Sequence, residues 1–159
     1  IWVNRKGERF CDESFYKDYQ PRIRHWDGLH QQQPNLAIWL VFDGRYRERY
    51  PLGSFMPGQP LPEDMVVVAD SPRELARRAG FDAEGFERTL ERFNPAAERG
   101  EDPDFGRGKL PWAVRLVGDP DYPNPNLGPL ASPPTTRSSW SPSPWASTPT
   151  ACAGTSTPR

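Results

Sequence analysis

Asp12 and Glu13 are adjacent carboxylates, and with a third such group they could divide the acid and base roles of proton-transfer chemistry. Nothing in their spacing makes that use specific. His25 and His30 have no acidic neighbour at metal-ligand spacing, which reads as surface or hydrogen-bonded histidine rather than a metal site. The string FGRGK, residues 105–109, lacks the spacing and the hydroxyl residue of a phosphate-binding loop. Phe15, Tyr16, Tyr19 and Trp26 could line a ring-binding cavity or fill a core or an interface. No G-x-G-x-x-G fingerprint and no nucleophile elbow occurs. Read from residue types alone, no catalytic residue is identified.

The chain supplies modest means for positioning any of these groups. Only 35% of its 159 residues are hydrophobic and 20 are proline, little apolar surface to set against the entropy of ordering the backbone. Twenty basic and 21 acidic side chains nearly cancel, so charge makes no case for nucleic acid or an anionic membrane. Cys11 and Cys152 form no disulfide or metal framework. No apolar run is long enough to span a bilayer, and no signal-like segment opens the chain. A cytoplasmic location is expected. Ile1 starts inside an apparent strand, so the true start is expected upstream.

The coarse pattern is α+β. IWVNRKGERF, residues 1–10, reads as a hairpin whose turn uses Gly7. ESFYKDYQPRIRHWDG, residues 13–28, suggests a helix broken at Pro21. AIWLVFD (37–43) and MVVVAD (65–70) are strand candidates, with a short helix or turn after the first. Ser71, Pro72 and Glu74 form a helix-start signature, and Gly80 ends that helix. Asp82 opens the next helix, with Phe86, Leu90 and Phe93 on one face, and Pro95 is expected to interrupt it. NPAAERGEDPDFGRG (94–108) and then DPDYPNPNLGPL (119–130) read as a long, loop-dominated excursion.

Four ordered segments carry a resemblance: 2–14, 34–53, 69–94, and 102–108 with 118–130. V-N-x-x-G-x-R-F-x-x-E (3–13) and E-R-F-N-x-x-A-x-x-G-x-D-x-D-F-x-R-G (91–108) are the most specific strings. In this order they resemble the FAD-dependent flavoproteins of the fumarate reductase and 3-ketosteroid dehydrogenase superfamily. The resemblance implies an internal fragment, an incomplete capping (substrate) domain of a two-domain FAD flavoprotein with a strand or hairpin remnant of the FAD domain. Residues 1–13 would end the FAD-domain segment and enter the cap, 14–130 would be cap, and 131–159 a disordered tail. It implies FAD as cofactor of the intact parent, with the principal binding segments absent here. Asn4, Arg5, Arg9 and Glu13 become candidates for lining the cofactor and substrate cleft. Arg9 could pair with Glu13 structurally or with an anionic group of ligand or cofactor.

The implied reaction is hydride transfer between flavin and a bulky, steroid-like ketone or enone. Ketosteroid dehydrogenases use a tyrosine base, often within a Y-D-R-Y-Y-like string between R-G and G-D-P. Here that stretch reads KLPWAVRLV, residues 109–117. It has no tyrosine, and an indole N–H only donates. Steroids and other bulky ketones or enones therefore remain equally open. The isolated chain is expected to be inactive and to lack measurable FAD affinity. Two alternatives stand beside this reading: a non-catalytic interaction module derived from the cap, and the product of a decayed gene.

The tail differs from everything before it. Residues 131–159 contain no acidic residue and are mostly Ser, Thr, Pro and Ala. In GC-rich codons, loss of one base near Pro134 converts a frame reading Y-H-A-V-V-L-E into Thr135, Thr136, Arg137, Ser138, Ser139 and Trp140. The same shift turns residues 148–157 into T-D-G-L-R-R-D-V-H-A. A frameshifted tail without dedicated contacts is expected, with a genuine Ser/Thr/Pro linker as the competing reading.

Overall fold

Val3 and Val41 are almost wholly buried, and a small sheet forms around them. The structure is a computed structural model that describes residues 1–130 and 138–142. The elements are β1 (Trp2–Val3), α1 (Tyr16–Ile23), β2 (Trp39–Phe42), α2 (Gly44–Arg49), β3 (Val67–Ala69), α3 (Pro72–Ala79), α4 (Ala83–Glu98), α5 (Pro111–Val117) and β4 (Ser138–Pro142). The sheet is antiparallel at every pairing, in the order β1-β2-β4-β3. The result is a small α+β unit.

Strand alternation gives the sheet two working faces. Val3, Val41 and Ala69 pack with Leu75 and Ala76 of α3 and with Phe81 and Phe86. Each large apolar side chain buried there contributes about 1.5–3 kcal/mol. Trp2, next to Val3, instead joins Phe10, Cys11, Ile38 and the α1 residues Tyr19 and Ile23. Trp39 also donates its indole N–H to the Ala79 carbonyl at the end of α3, at 3.1 Å.

The helix starts obey their local chemistry. The Ser71 side chain accepts from the Glu74 amide, Pro72 stands in the first turn, and Gly80 closes α3 in the left-handed region at φ 86°. Asp43 and Asp82 cap α2 and α4. α4 runs straight through Pro95 to Glu98, contrary to the expected break. Pro95 and Glu91 are both exposed, so the carbonyl deprived of its amide partner can turn to water. Phe93, Ala96 and Ala97 are buried on the other side of the helix and hold it together. α1 likewise continues through the exposed Pro21.

Three further expectations need correction. The chain after Gly7 does not return as a second hairpin strand, because β1 pairs with β2 instead. Residues 94–108 are not all loop, since α4 continues to Glu98, and Pro111 opens the helix α5 between the two stretches read as loop. The tail, expected to make no contacts from 131 on, contributes β4 between β2 and β3. A ladder is built from backbone groups, so a serine-rich segment can enter one where two strand edges stand open. Residues 131–137 and 143–159, with the T-D-G-L-R-R-D-V-H-A reading, lie outside the described residues.

Candidate functional site

Asn4 sets the turn that leads into the site. Its side-chain oxygen accepts from the amides of Lys6 at 3.0 Å and Glu8 at 3.2 Å, and its amide group donates to Asn35 Oδ1 at 2.9 Å. Gly7 adopts φ 69° and packs on the start of α4. A Cβ on Gly7 would lie 2.4 Å from the Asp82 carbonyl oxygen, and one on Gly85 would lie 1.9 Å from that of Lys6. The Thr89 hydroxyl lies 2.8 Å from the Gly7 carbonyl oxygen. The glycine of V-N-x-x-G is therefore needed for backbone-to-backbone contact.

Beyond that turn, Arg9 enters a buried cluster. Its Nη1 and Nη2 donate to the two carboxylate oxygens of Asp102, each at 3.0 Å. Its Nε and Nη2 also reach Glu13, at 3.3 and 3.2 Å. The guanidinium lies near the rings of Phe93 and Phe105, 4.8 and 5.1 Å from their centroids. Arg107 donates to Glu13 Oε2 at 3.1 Å, and Glu13 Oε1 accepts from the Trp2 amide at 2.9 Å. Asp102 also accepts from the amides of Asp104, Phe105 and Arg107, which folds the loop around its own carboxylate.

The charges in this cluster hold one another ionised. Burial opposes the charge on Glu13, but Arg107 and Arg9 outweigh it and bring its pKa down to about 2. Burial also works against Asp102, where the bonds from Arg9 prevail and its pKa is lowered. Arg9 itself is desolvated, yet Glu13 and Asp102 push its pKa up. Glu13 and Asp102 are thus held as carboxylates and Arg9 as a guanidinium.

A strap of asparagines fixes the outer loops. Asn124 donates to the carbonyls of Gly100 and Arg107, and Asn126 to that of Ala113. A Cβ on Gly108 would lie 2.0 Å from Asn124 Oδ1. Asn94 and Leu130 exchange two bonds of 2.9 Å. The strings around R-G and N-P-N-L-G are thus one interlocked unit.

An aromatic shelf lies on the protein surface beside it. Phe15 meets Trp112 edge-on with centroids 6.2 Å apart, and it also touches Tyr16. Tyr16, Leu110, Trp112 and Leu116 are exposed, Trp112 by 53% and Leu116 by 64%. An open cleft of about 630 Å³ lies elsewhere, lined by Arg47, Glu48, Leu61, Val68 and Arg78 among others. None of the four cleft candidates lines it.

The structure brings Arg9 and Glu13 together and places Asn4 in the neighbouring turn. Arg5 is exposed at the turn, and its carbonyl accepts from the Asp82 amide. Its side chain makes no hydrogen bond or ion pair with the described residues. The Arg9 guanidinium, in contrast, is already shared between two carboxylates. Asp12 and Glu13 do not act as a pair, because Asp12 bonds Ser14 while Glu13 serves the arginines. His30 Nδ1 lies 2.7 Å from Asp27 Oδ2 in an exposed turn. Asp102 and Arg107 appear in sequence only as fixed positions of the 91–108 string, not as site candidates, and Asn35 not at all. Those fixed positions, with a buried Arg9 that needs more acceptor oxygens than Glu13 alone provides, were the available signal.

The family profile described as the FAD binding domain matches residues 1–148. Over 145 residues the chain is 41% identical to a 3-oxosteroid 1-dehydrogenase of Mycobacterium tuberculosis, covering 84% of this chain and 25% of that protein. It is 43% identical to a 4-oxocyclohexanecarboxylate 2-dehydrogenase of Sinomonas cyclohexanicum, covering 82% of this chain and 23% of that one. Among solved structures, the 3-ketosteroid delta1-dehydrogenase of Sterolibacterium denitrificans in complex with 1,4-androstadiene-3,17-dione superposes with a TM-score of 0.74 at 31% identity, over 89% of this chain and 26% of that one. The chain thus spans about a quarter of the length of these relatives. With the profile covering all of its described residues, the chain belongs to the FAD-binding oxidoreductase family that includes the 3-ketosteroid dehydrogenases.

Proposed function

We propose that this chain is the substrate-side portion of an FAD-dependent oxidoreductase that moves a hydride between flavin and a bulky cyclic ketone or enone. Residues 14–130 are assigned to the cap and 1–13 to its junction with the FAD domain. The observation that carries this reading is the exposed shelf of Tyr16, Leu110, Trp112 and Leu116, braced through Phe15. Exposed apolar side chains on α5 and beside it, with Trp112 and Leu116 four positions apart on one helix face, suit a flat apolar ligand. The named ketone substrates of the relatives support the same class.

The roles divide by what each side chain has free. Arg9, Glu13, Asp102 and Arg107 engage one another in a buried network of ion pairs. Arg5, at the exposed turn, is the candidate contact to an anionic group of the cofactor. The flavin, when bound by the whole enzyme, supplies the redox chemistry. Residues 109–117 contain no tyrosine to act as a base. The isolated chain is accordingly assigned a binding surface without turnover.

Trp fluorescence of the full chain titrated with 1,4-androstadiene-3,17-dione tests the shelf. A saturable quench that disappears in Trp112→Ala supports it, and a linear, non-saturating response sinks it. FAD titration in parallel is expected to give no saturable change. Flavin absorbance that copurifies with the chain would refute its assignment as a portion unable to hold the cofactor.

A further inference from the structure

The charges around the aromatic shelf do not balance. Between Asp104 and Asp119 the chain carries Arg107, Lys109 and Arg115 and no acidic residue. The acidic side chains flanking the shelf elements are already engaged: Asp104 with Arg92, Asp119 with Arg49, Asp18 with Arg22, and Glu13 with Arg9 and Arg107. Lys109, Arg115 and Lys17, which directly follows Tyr16, are exposed, and their side chains make no hydrogen bond or ion pair with the described residues. Arg115 is the best placed of the three. It stands three positions after Trp112 in α5, a spacing that makes the two neighbours on the helix surface, and it adjoins Leu116. Ala113, two positions earlier, is wholly buried, which puts Arg115 on the solvent side of the helix.

We propose that Arg115 is a specificity-determining residue and that the shelf takes a cyclic ketone carrying a carboxylate in preference to a neutral one. This rests on the shelf reading given under the proposed function. The ring system lies on Trp112 and Leu116, and the carboxylate reaches the neighbouring guanidinium, whose forked donors match two carboxylate oxygens. Lys109 and Lys17 add a field of the same sign without a fixed contact. No protein carboxylate has to be displaced, since none is bound to Arg115. An arginine exposed in this way makes a modest interaction that salt screens. A neutral ketone gains nothing from it, so the discrimination acts on charge and leaves the apolar contacts common to both ligands.

The test uses 4-(4-oxocyclohexyl)benzoate and its methyl ester, which differ in charge and little else. Both are titrated against the full chain at low salt and followed by tryptophan fluorescence, with Trp112→Ala as the control for the shelf. The carboxylate is expected to bind about two- to fivefold more tightly than the ester. The difference should vanish in about 0.5 M salt and in Arg115→Gln, and persist in part in Arg115→Lys. Because Arg115 is exposed and unpaired, Arg115→Gln should keep the Tm of the parent chain. Equal affinities for the two compounds, or a preference for the carboxylate that survives high salt or Arg115→Gln, overturn the proposal; the shelf stands in that case if both titrations saturate and depend on Trp112. If neither compound gives a saturable, Trp112-dependent change, the shelf reading falls and this inference falls with it. Should Arg115→Gln melt lower, the comparison of the two compounds at low and high salt decides alone.

Discussion

Arg9 and Asp102 lie 93 positions apart in sequence and meet through two N–H···O bonds of 3.0 Å, both side chains almost completely buried. The pair fastens the turn after β1 to the loop after α4. Asp102→Ala would leave Arg9 buried with Glu13 as its remaining carboxylate partner. Breaking a buried pair from one side costs about 3–5 kcal/mol. Urea denaturation of the full chain measures it, and a loss below about 1 kcal/mol would class the pair with surface bridges.

Acid should loosen the same cluster. The folded-state pKa values of Glu13 and Asp102 are depressed below their unfolded values. Their contribution is therefore fully present above the unfolded carboxylate range and is lost as pH falls through the folded values. For Glu13 that window runs from 4.5 down to about 2. Stability followed by circular dichroism should decline across it, and Glu13→Gln should flatten the decline.

The close approach of the Lys6–Gly7 turn to the start of α4 makes a sharp comparison possible. Gly85→Ala would drive a methyl group to within 1.9 Å of the Lys6 carbonyl oxygen, a backbone atom. A penalty of about 1–3 kcal/mol or more is expected from forced overpacking. Gly28→Ala meets nothing within 4 Å and should be close to neutral. Equal melting temperatures for the two variants would contradict the packing described.

Ser71→Ala removes the side-chain acceptor at the start of α3 and should cost about 1 kcal/mol. Ser71→Gly should cost only a few tenths of that unit. Thermal melts of both variants separate capping from general surface effects.

Arg47 donates to the carbonyls of Tyr50, Met56 and Gln59, so a single side chain organises the loop after α2. Arg47→Met keeps most of the apolar stem and deletes the donors. Limited proteolysis should then cut faster within residues 50–59 than in the parent chain. An unchanged cleavage pattern would show that the loop is held by other means.

Local chemistry was readable from sequence where it is strictly local. Ser71, Pro72, Glu74 and Gly80 announced α3, and the structure gives α3 those bounds. Prolines misled wherever the freed carbonyl faces water, as at Pro95 in α4. Charge partners distant in sequence were the harder part. Arg9 and Glu13 were paired as one possibility, whereas Asp102 and Arg107 complete the cluster from across the fold. Asn4 stood out through its motif, but its visible work is to shape a turn. β4 was missed because strand prediction reads side chains, and this strand pairs through its backbone.

The order of the sheet also has a consequence in time. β4 is the last of the described elements to leave a ribosome, yet it belongs between β2 and β3. At synthesis rates of about 5–20 residues per second, the facing edges of β2 and β3 wait several seconds for it. Unpaired edges are templates for other chains. A nascent chain stalled before Ser138 would therefore present two open apolar edges, making this interval the one in which a holding chaperone matters most.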